Sequence, residues 1–508
     1  MNRMNQPISD GRYDSSLAVK CINGTFVGRR QENIISYKGI PFVGAQPIGD
    51  LRWKAPLDVT PDDGVYEAYH FGKIAVQDLS VSEYQGEDCL YLNIWKAEGQ
   101  AEKRPVMVWI HGGAFVSGGT SLEVFDCTNL AKEHSEVIFV TIPYRLGVLG
   151  FLHLSHLPDG KDYPDAQNLG LLDQLQALKW VHENISAFGG DPERVTIWGE
   201  SAGAGSVTLQ PLIKGAQQYF HQVIAQSGAP TQTNSLQESI ATTNDLMKAL
   251  GCKTVAELLK TGARTLIDTA AEAVRLRVFP VRDGHILPED PWEAYKNGIA
   301  KNITFLQGCN KDEMNCFVSD WTVEGFKAWA IERKQHKYAH ELSDEERAKL
   351  ESYCKEGAVE DWESDSRLFG HSWFIEGAIH LSECQTMGGG KSYTYQYRVE
   401  SSDPIMKCAH FEEVPVVFAH PEFIVGRTCS DIFCQTMRAM WIQFAKTGNP
   451  SLTAQQSPDG KAKEWPLYDL KDKRVMVLDD HDIHPAKEAD VKIVDWDRTY
   501  FLNKYYML

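Results

Sequence analysis

RVTIWGESAGAGS, Arg194 to Ser206, runs from an apolar strand directly into small residues. Within it, Gly199-Glu200-Ser201-Ala202-Gly203 forms a G-x-S-x-G pentapeptide, the pattern of a serine set on a sharp strand-to-helix turn. Alone the pattern carries little, because it recurs by chance in roughly one chain in five of this length. Its meaning depends on what surrounds it.

Upstream, RPVMVWIHGG and EVIFVTIPYR are near-continuous apolar runs, as RVTIWGES is, and QVIAQSG and ITFLQGC follow in the same style. Such runs are expected of strands buried on both faces. Between the second and third, Leu172, Leu175, Ala177, Leu178 and Val181 follow helical spacing until Gly189-Gly190 stops the helix. Buried strands alternating with amphipathic helices predict an α/β fold with a large, mostly parallel central sheet flanked by helices. LAVKCINGTFVGRR, alternating around Asn23-Gly24, predicts a hairpin. From about 317 to 386 the pattern turns helical, and strands return at KSYTYQYRVE and RVMVLDD. No flexible linker flanks that stretch, so it reads as a helical cap or insertion within one catalytic domain spanning 1–508.

A nucleophilic serine makes demands that can be searched for. It needs a base, an acid to orient the base, and N–H donors for the oxyanion. The strand VMVWI ends in His111-Gly112-Gly113-Ala114-Phe115, where glycines let backbone N–H groups approach a neighbouring site. Downstream, the strand ITFLQG ends in CNKDEMNCF, and a carboxylate just beyond a strand's carboxyl end borders the crevice. Asp312 and Glu313 both qualify on spacing. His410, in KCAHFEEVPVVF, lies in a loop after a strand, whereas His336 and His340 sit in charged helical stretches and read as solvated.

Composition excludes several function classes. The 508 residues carry a formal net charge of −18, which disfavours nucleic acid and anionic lipid. The N-terminus MNRMNQPISDGRYDSS has no apolar signal region, and no apolar run reaches membrane-spanning length. Eleven cysteines without a C-x-x-C pair read as reduced thiols, and a cytoplasmic location is expected. The sequons at Asn23, Asn184 and Asn302 then carry no weight.

Further blocks carry a resemblance. YKGIPF, PIGDLRWKAP, GEDCLYLNIW, YRLGVLGFL, NLGLLDQLQALKWVHENISAFGGDP, GESAGAGSV and FAKTGNP are in register with the type-B carboxylesterases, as in a bacterial-type member of that α/β-hydrolase family. The resemblance implies Ser201 as nucleophile, Glu313 rather than Asp312 as acid, and His410 as base. It implies oxyanion donors at the backbone N–H groups of Gly113, Ala114 and Ala202. It places Glu200 beside the nucleophile, where its charge favours the imidazolium form of His410, and Ser227 near the acid. Arg52 with Glu87 and Arg145 with Asp173 are expected as structural ion pairs.

Two departures narrow the substrate. Secreted members bridge the cysteine of EDC to an upstream partner, but FGKIAVQD before Cys89 has no cysteine. The stretch from Phe71 to Cys89 also lacks Trp, so choline esters, which need cation–π contact, are poor candidates. Pro143 stands where the family has Asn, and only a local strand-end change is expected.

Other motifs fail. GGGKS, Gly388 to Ser392, has Gln385 where a phosphate loop needs its first glycine, and it precedes a strand. DDHDIH, Asp479 to His484, and His153 with His156 read as polar loop residues, not metal ligands. The expectation is therefore a serine carboxylesterase acting through an acyl-enzyme on short-chain or aryl esters. It needs no cofactor and no metal. Its partner is a small-molecule ester, with neither nucleic acid nor membrane. Oligomeric state is left between monomer and weak dimer, and lipase or amidase side activity is left open. A binding-only relative that has lost its serine is the alternative from another class, and the intact set of catalytic residues argues against it.

Overall fold

Apolar runs become buried strands, and the computed structural model shows how they are ordered across residues 4–82, 84–99, 103–274, 277–320, 366 and 370–488, which are the residues it describes. The chain forms two compact units. The first is Met1–Ile224 with Gln232–Ala294, and the second is Ala225–Thr231 with Tyr295–Leu508.

In the first unit β1 (Ala18–Cys21) and β2 (Asn23–Val27) make the hairpin, with Cys21 opposite Gly24. The loop is thus Ile22-Asn23, one residue earlier than the Asn-Gly pair suggests. Asn23 also ties the hairpin to its neighbours, since its amide donates to the Pro41 carbonyl (2.8 Å) and accepts from the Trp180 indole (3.0 Å). After β3 (Arg29–Gln31) and β4 (Ile34–Pro41), β5 (Asp62–Glu67) adds in parallel to β2. β6 (Tyr91–Ala97), β7 (Arg104–Ile110), β8 (Ile138–Ile142) and β9 (Gly190–Glu200) join β3 and β4 in the order β9-β7-β8-β6-β4-β3.

Among these six strands parallel pairing is confined to β9-β7-β8, and the pairs from β8 outward to β3 are antiparallel. The parallel strands carry the unbroken apolar runs, since every residue of β7 and β8 is buried. Their register sets Ile110 opposite Gly199, so the loop leaving β7 begins beside the end of β9. Trp109 and Trp198, paired in the same register, meet edge to face at 4.6 Å.

Helix α1 (Leu169–Asn184) departs from its expected apolar face. Leu172 and Leu175 are half-buried, whereas Asp173 and Gln174 are buried. The reason is partner chemistry. Arg145, also buried, donates through Nε (2.8 Å) and Nη2 (2.7 Å) to the two Asp173 oxygens, and its own N–H adds a third bond at 3.0 Å. Arg52 and Glu87 form a second two-bonded pair, at 2.5 Å each, and Arg52 also donates to the Thr261 carbonyl (2.8 Å). Gly189 (φ 88°) ends the turn after α1 in the left-handed conformation. Helix α2 (Ala202–Leu209) follows β9 directly and is buried throughout, and α3 (Leu236–Leu250) starts on a Ser235–Glu238 capping box.

The chain passes to the second unit within β10 (Gln222–Gln226). A short parallel pair, β11 (Asn234–Ser235) and β12 (Val281–Arg282), belongs to the first. In the second, β13 (Thr304–Asn310), β14 (Lys391–Tyr397) and β15 (Arg474–Leu478) pair in parallel, and β16 (Ile483–Lys487) closes antiparallel on β15. The expected insertion near 317–386 lies mostly outside the described residues. Its described ends are helical, at Asn315–Asp320 and at α4 (Glu376–Met387). Gln307 of β13 donates to Ala378 of α4 (3.0 Å), and Gln385 of α4 donates to Ala300 and Ile303. Helix α5 (Asp431–Thr447) brings Trp441 against Tyr395 of β14, with ring centres 5.3 Å apart. No described helix is long and apolar enough to cross a membrane.

Asp173→Ala would leave a buried guanidinium facing carbonyl groups alone, and should cost about 3–5 kcal/mol. Asp58→Ala breaks the exposed pair with Lys179 and should cost under about 1 kcal/mol. Urea unfolding midpoints of the two variants check this, and equal losses would contradict the assignment.

Candidate active site

The serine of the opening stretch stands where β9 breaks into α2. Ser201 has φ 56° and ψ −123°, a region that L-residues rarely occupy and that costs on the order of 1–3 kcal/mol. Its neighbours Glu200 and Ala202 are buried, while Ser201 itself is partly exposed. The two glycines of the pentapeptide are there for space. A Cβ on Gly203 would lie 2.0 Å from the Ile110 carbonyl oxygen, and one on Gly199 would lie 2.6 Å from the Gly203 backbone.

The loop after β7 lies against this turn. A Cβ on Gly112 would sit 2.8 Å from the Glu200 carbonyl oxygen and 3.0 Å from Ser201 Cβ. Gly113 (φ 102°), Ala114 (φ 52°) and Phe115 (φ 61°) have successive positive φ angles, a backbone that non-glycine residues rarely adopt. The N–H groups of Gly113, Ala114 and Ala202 donate to no group among the described residues.

Several groups that the sequence did not single out hold the loop. Tyr144 Oη donates to the His111 carbonyl (3.0 Å), and its ring stacks on the imidazole at 4.6 Å. Burial pushes the His111 imidazole down to about 4, so it is neutral, and Nδ1–H donates to the Gly112 carbonyl (2.9 Å). Gln77 grips Gly118, accepting from its N–H (2.7 Å) and donating to its carbonyl (2.6 Å). Phe115 is wedged among Tyr144, Phe151 and Phe279.

In the second unit the structure brings together Glu313, His410 and Ser227. His410 Nδ1 lies 2.6 Å from Glu313 Oε2, which fixes the proton on Nδ1 because a carboxylate only accepts. The other oxygen, Oε1, accepts from Ser227 Oγ (2.6 Å) and from the Asn310 N–H (2.7 Å). Glu313 is 1 % exposed. Of the two carboxylates left open on spacing, Glu313 reaches His410, whereas the Asp312 carboxylate takes the Cys408 N–H at 3.4 Å, and burial raises it above the usual range. Phe374 lies against the His410 ring at 4.4 Å, a contact without local sequence signal since Phe374 falls in the helical stretch.

Asn310 ties the two loops. Its side chain donates to Ala409 O (2.6 Å) and to Glu413 Oε2 (2.6 Å), while its backbone serves Glu313. Glu413 is fully buried and also accepts from Gln226 (3.0 Å). Burial and the adjacent Glu413 push Glu412 up to about 8.

The rejected motifs have ordinary roles. Gly388 and Gly389 link α4 to β14. Asp480 accepts from the N–H and hydroxyl of Ser430 (2.8 and 2.6 Å), and His153 stacks on His156 at 5.2 Å. Among the described residues no three His, Cys, Asp or Glu side chains gather in a way that could hold a metal. His336 and His340 lie outside the described residues.

The model of the carboxylesterase family matches residues 15–493. The chain is similar to the para-nitrobenzyl esterase of Bacillus subtilis, 33% identical over 486 residues, covering 90% of this chain and 93% of that protein. It is similar to the fumonisin B1 esterase of Sphingopyxis macrogoltabida, 32% identical, covering 91% and 85%. Among solved structures it resembles the Geobacillus stearothermophilus carboxylesterase EST55, with a TM-score of 0.82, 32% identity, and 94% and 99% of the two chains covered. A thermophilic para-nitrobenzyl esterase gives a TM-score of 0.81 at 30% identity, covering 96% and 99%. The fold is that of the α/β-hydrolases.

Glu412 makes stability depend on pH. Below about 4.5 the carboxyl holds its proton in both folded and unfolded chains; between there and about 8 only the folded chain keeps it. This contribution to stability therefore fades as pH rises through that window. Glu412→Gln should stabilise the protein relative to wild type by a few kcal/mol near the top of the window and leave little difference near the bottom, at roughly 1.4 kcal/mol per pKa unit. Denaturant midpoints across the window check it, and parallel profiles would contradict it.

Proposed function

The chain belongs to the carboxylesterase family and is a carboxylic ester hydrolase, and on that premise we propose that it works through an acyl-enzyme on Ser201, with His410 as base and Glu313 as acid. Ser201 Oγ attacks the ester carbonyl carbon as His410 Nε2 takes its proton, Nδ1 being committed to Glu313. The carbonyl oxygen, now an anion, is held by the N–H groups of Gly113, Ala114 and Ala202. His410 returns the proton to the leaving alcohol, and water repeats the sequence to free the acid and the serine. Glu313 keeps the imidazole in the productive tautomer and favours the imidazolium, and the negative charge of Glu200, next to Ser201 in sequence, is proposed to favour it too.

The observation that carries this reading is the 2.6 Å bond between His410 Nδ1 and Glu313 Oε2, with the acid's other oxygen occupied by Ser227 and Asn310. Donors left open at Gly113, Ala114 and Ala202 support the oxyanion role. Short-chain and aryl esters are the proposed substrates. Cys89 is a free thiol, so the bridged loop of choline-binding relatives is not closed through it. The described cysteines are all free, which supports a reducing compartment such as the cytoplasm.

Ser201→Ala should lower para-nitrophenyl acetate turnover by roughly 10⁴–10⁶-fold while circular dichroism stays unchanged. Glu313→Gln should lose about 10⁴-fold, by analogy with loss of the orienting acid elsewhere, whereas Asp312→Asn should stay near the wild-type rate. An active Ser201→Ala protein, or a reversed order of the two acid variants, overturns the mechanism.

A further inference from the structure

Thr428-Cys429-Ser430-Asp431-Ile432-Phe433-Cys434 leads into helix α5. Ser430 is its N-cap, accepting the Phe433 N–H on Oγ (3.2 Å). The residue before a cap and the fourth residue of the helix meet across the first turn, where apolar side chains usually staple the helix to its entry. Here both staple positions are cysteine. Their sulfurs are 3.5 Å apart, with Cys434 donating to Cys429. Both residues are buried, but the segment just before them, Val425 to Thr428, is exposed.

The surroundings hold this approach in place. Asp480 fixes Ser430 through two bonds, and the Cys434 N–H reaches the Ser430 carbonyl (3.1 Å). The Arg427 guanidinium lies 3.9 Å from Cys434 Sγ and is anchored on Asp431. We infer that Cys429 and Cys434 form a redox-active dithiol that closes to a reversible disulfide when the protein meets hydrogen peroxide.

Atoms and electrons balance in two steps. Cys429 sulfur attacks one peroxide oxygen, the O–O bond breaks, and a sulfenic acid and one water result. Cys434 sulfur then attacks the sulfenic sulfur, loses its proton, and releases the second water as the S–S bond forms. Two thiols are oxidised and one peroxide is reduced. Cys429 suits the first step. The hydrogen bond from Cys434, then Arg427, holds its thiol below the ordinary range, and the same bond raises Cys434. Burial pushes the thiols of Cys89, Cys127, Cys309 and Cys408 up instead, so they should stay inert.

Trypsin cuts after Arg427 and Arg438, so both cysteines fall in one peptide, Thr428–Arg438. The folded protein is treated with hydrogen peroxide, denatured, alkylated with iodoacetamide and digested. Mass spectrometry should find this peptide unalkylated and lighter by two hydrogens, and dithiothreitol before alkylation should restore two alkylated thiols. In Cys434→Ser, Cys429 should instead advance to the sulfinic acid. Two alkylated thiols at a peroxide dose that already oxidises methionine would overturn the inference. So would wild-type protein in which Cys429 reaches the sulfinic acid while Cys434 stays reduced. The readout is independent of ester turnover.

Discussion

The arrangement of the first unit follows from one steric constraint, the meeting of three backbones at Ser201. Strand β9, helix α2 and the loop leaving β7 converge so closely that a Cβ at Gly112, Gly199 or Gly203 would overlap a neighbouring main chain. The register that sets Ile110 against Gly199 is what brings them there. In exchange for a strained serine, the turn lifts one hydroxyl partly into solvent while burying everything beside it. It also begins a helix at Ala202, whose first N–H has no partner within the helix. The same constraint that fixes Ser201 therefore leaves the Ala202 N–H without a described acceptor, as the N–H groups of Gly113 and Ala114 in the β7 loop also are.

The second unit reaches rigidity by hydrogen bonding instead of crowding. Glu313 commits one oxygen to Ser227 and Asn310 and the other to His410, so the imidazole approaches a carboxylate that cannot rotate. Asn310 serves both loops from one position, through its backbone N–H to Glu313 and its amide to Ala409, the residue before His410. Strained non-glycine backbone recurs in these places, at Ser227 (φ 57°) and Phe411 (φ 77°), as it does at Ala114, Phe115 and Ser201. Strain of this kind persists only where surrounding contacts over-determine it.

What was legible in the sequence was what is local or repeated. Continuous apolar runs identified the parallel strands, because burial on both faces removes alternation. Glycine spacing identified the turn, because the crowding is backbone on backbone. Pairings across distant segments were not legible. Spacing alone could not separate Asp312 from Glu313, since both follow the same strand, and only the reach to His410 distinguishes them. Buried Asp173 sat within an apolar face that the spacing of Leu172 and Leu175 had defined, because Arg145 lies 28 residues away and changes what burial costs. The supports at Gln77, Tyr144 and Phe374 had no local signal, as each is an ordinary residue made useful by fold alone.

The His410 loop is backed by helix α5, and this explains why charge behaves differently on its two sides. Arg438 of α5 donates to the Val416 carbonyl (2.8 Å), and Trp441 donates to Gln226, which in turn donates to Glu413. Glu413 can stay buried because these amide donors meet it. Glu412 meets no such donor among the described residues and faces burial, the charge of Glu413 and, more weakly, Cys429 at the start of α5. An uncompensated carboxyl in that position is tolerated only by holding its proton. The loop therefore carries one carboxylate held by hydrogen bonds, next to a carboxyl kept neutral. Glu313 takes its own bonds from Ser227, Asn310 and His410, and because Asn310 also donates to Glu413, the Glu313–His410 pair is linked to Glu413 through one amide. A covalent change at the start of α5 would therefore have two routes toward His410, one through Glu412 and one along the helix through Trp441, Gln226 and Glu413 to Asn310.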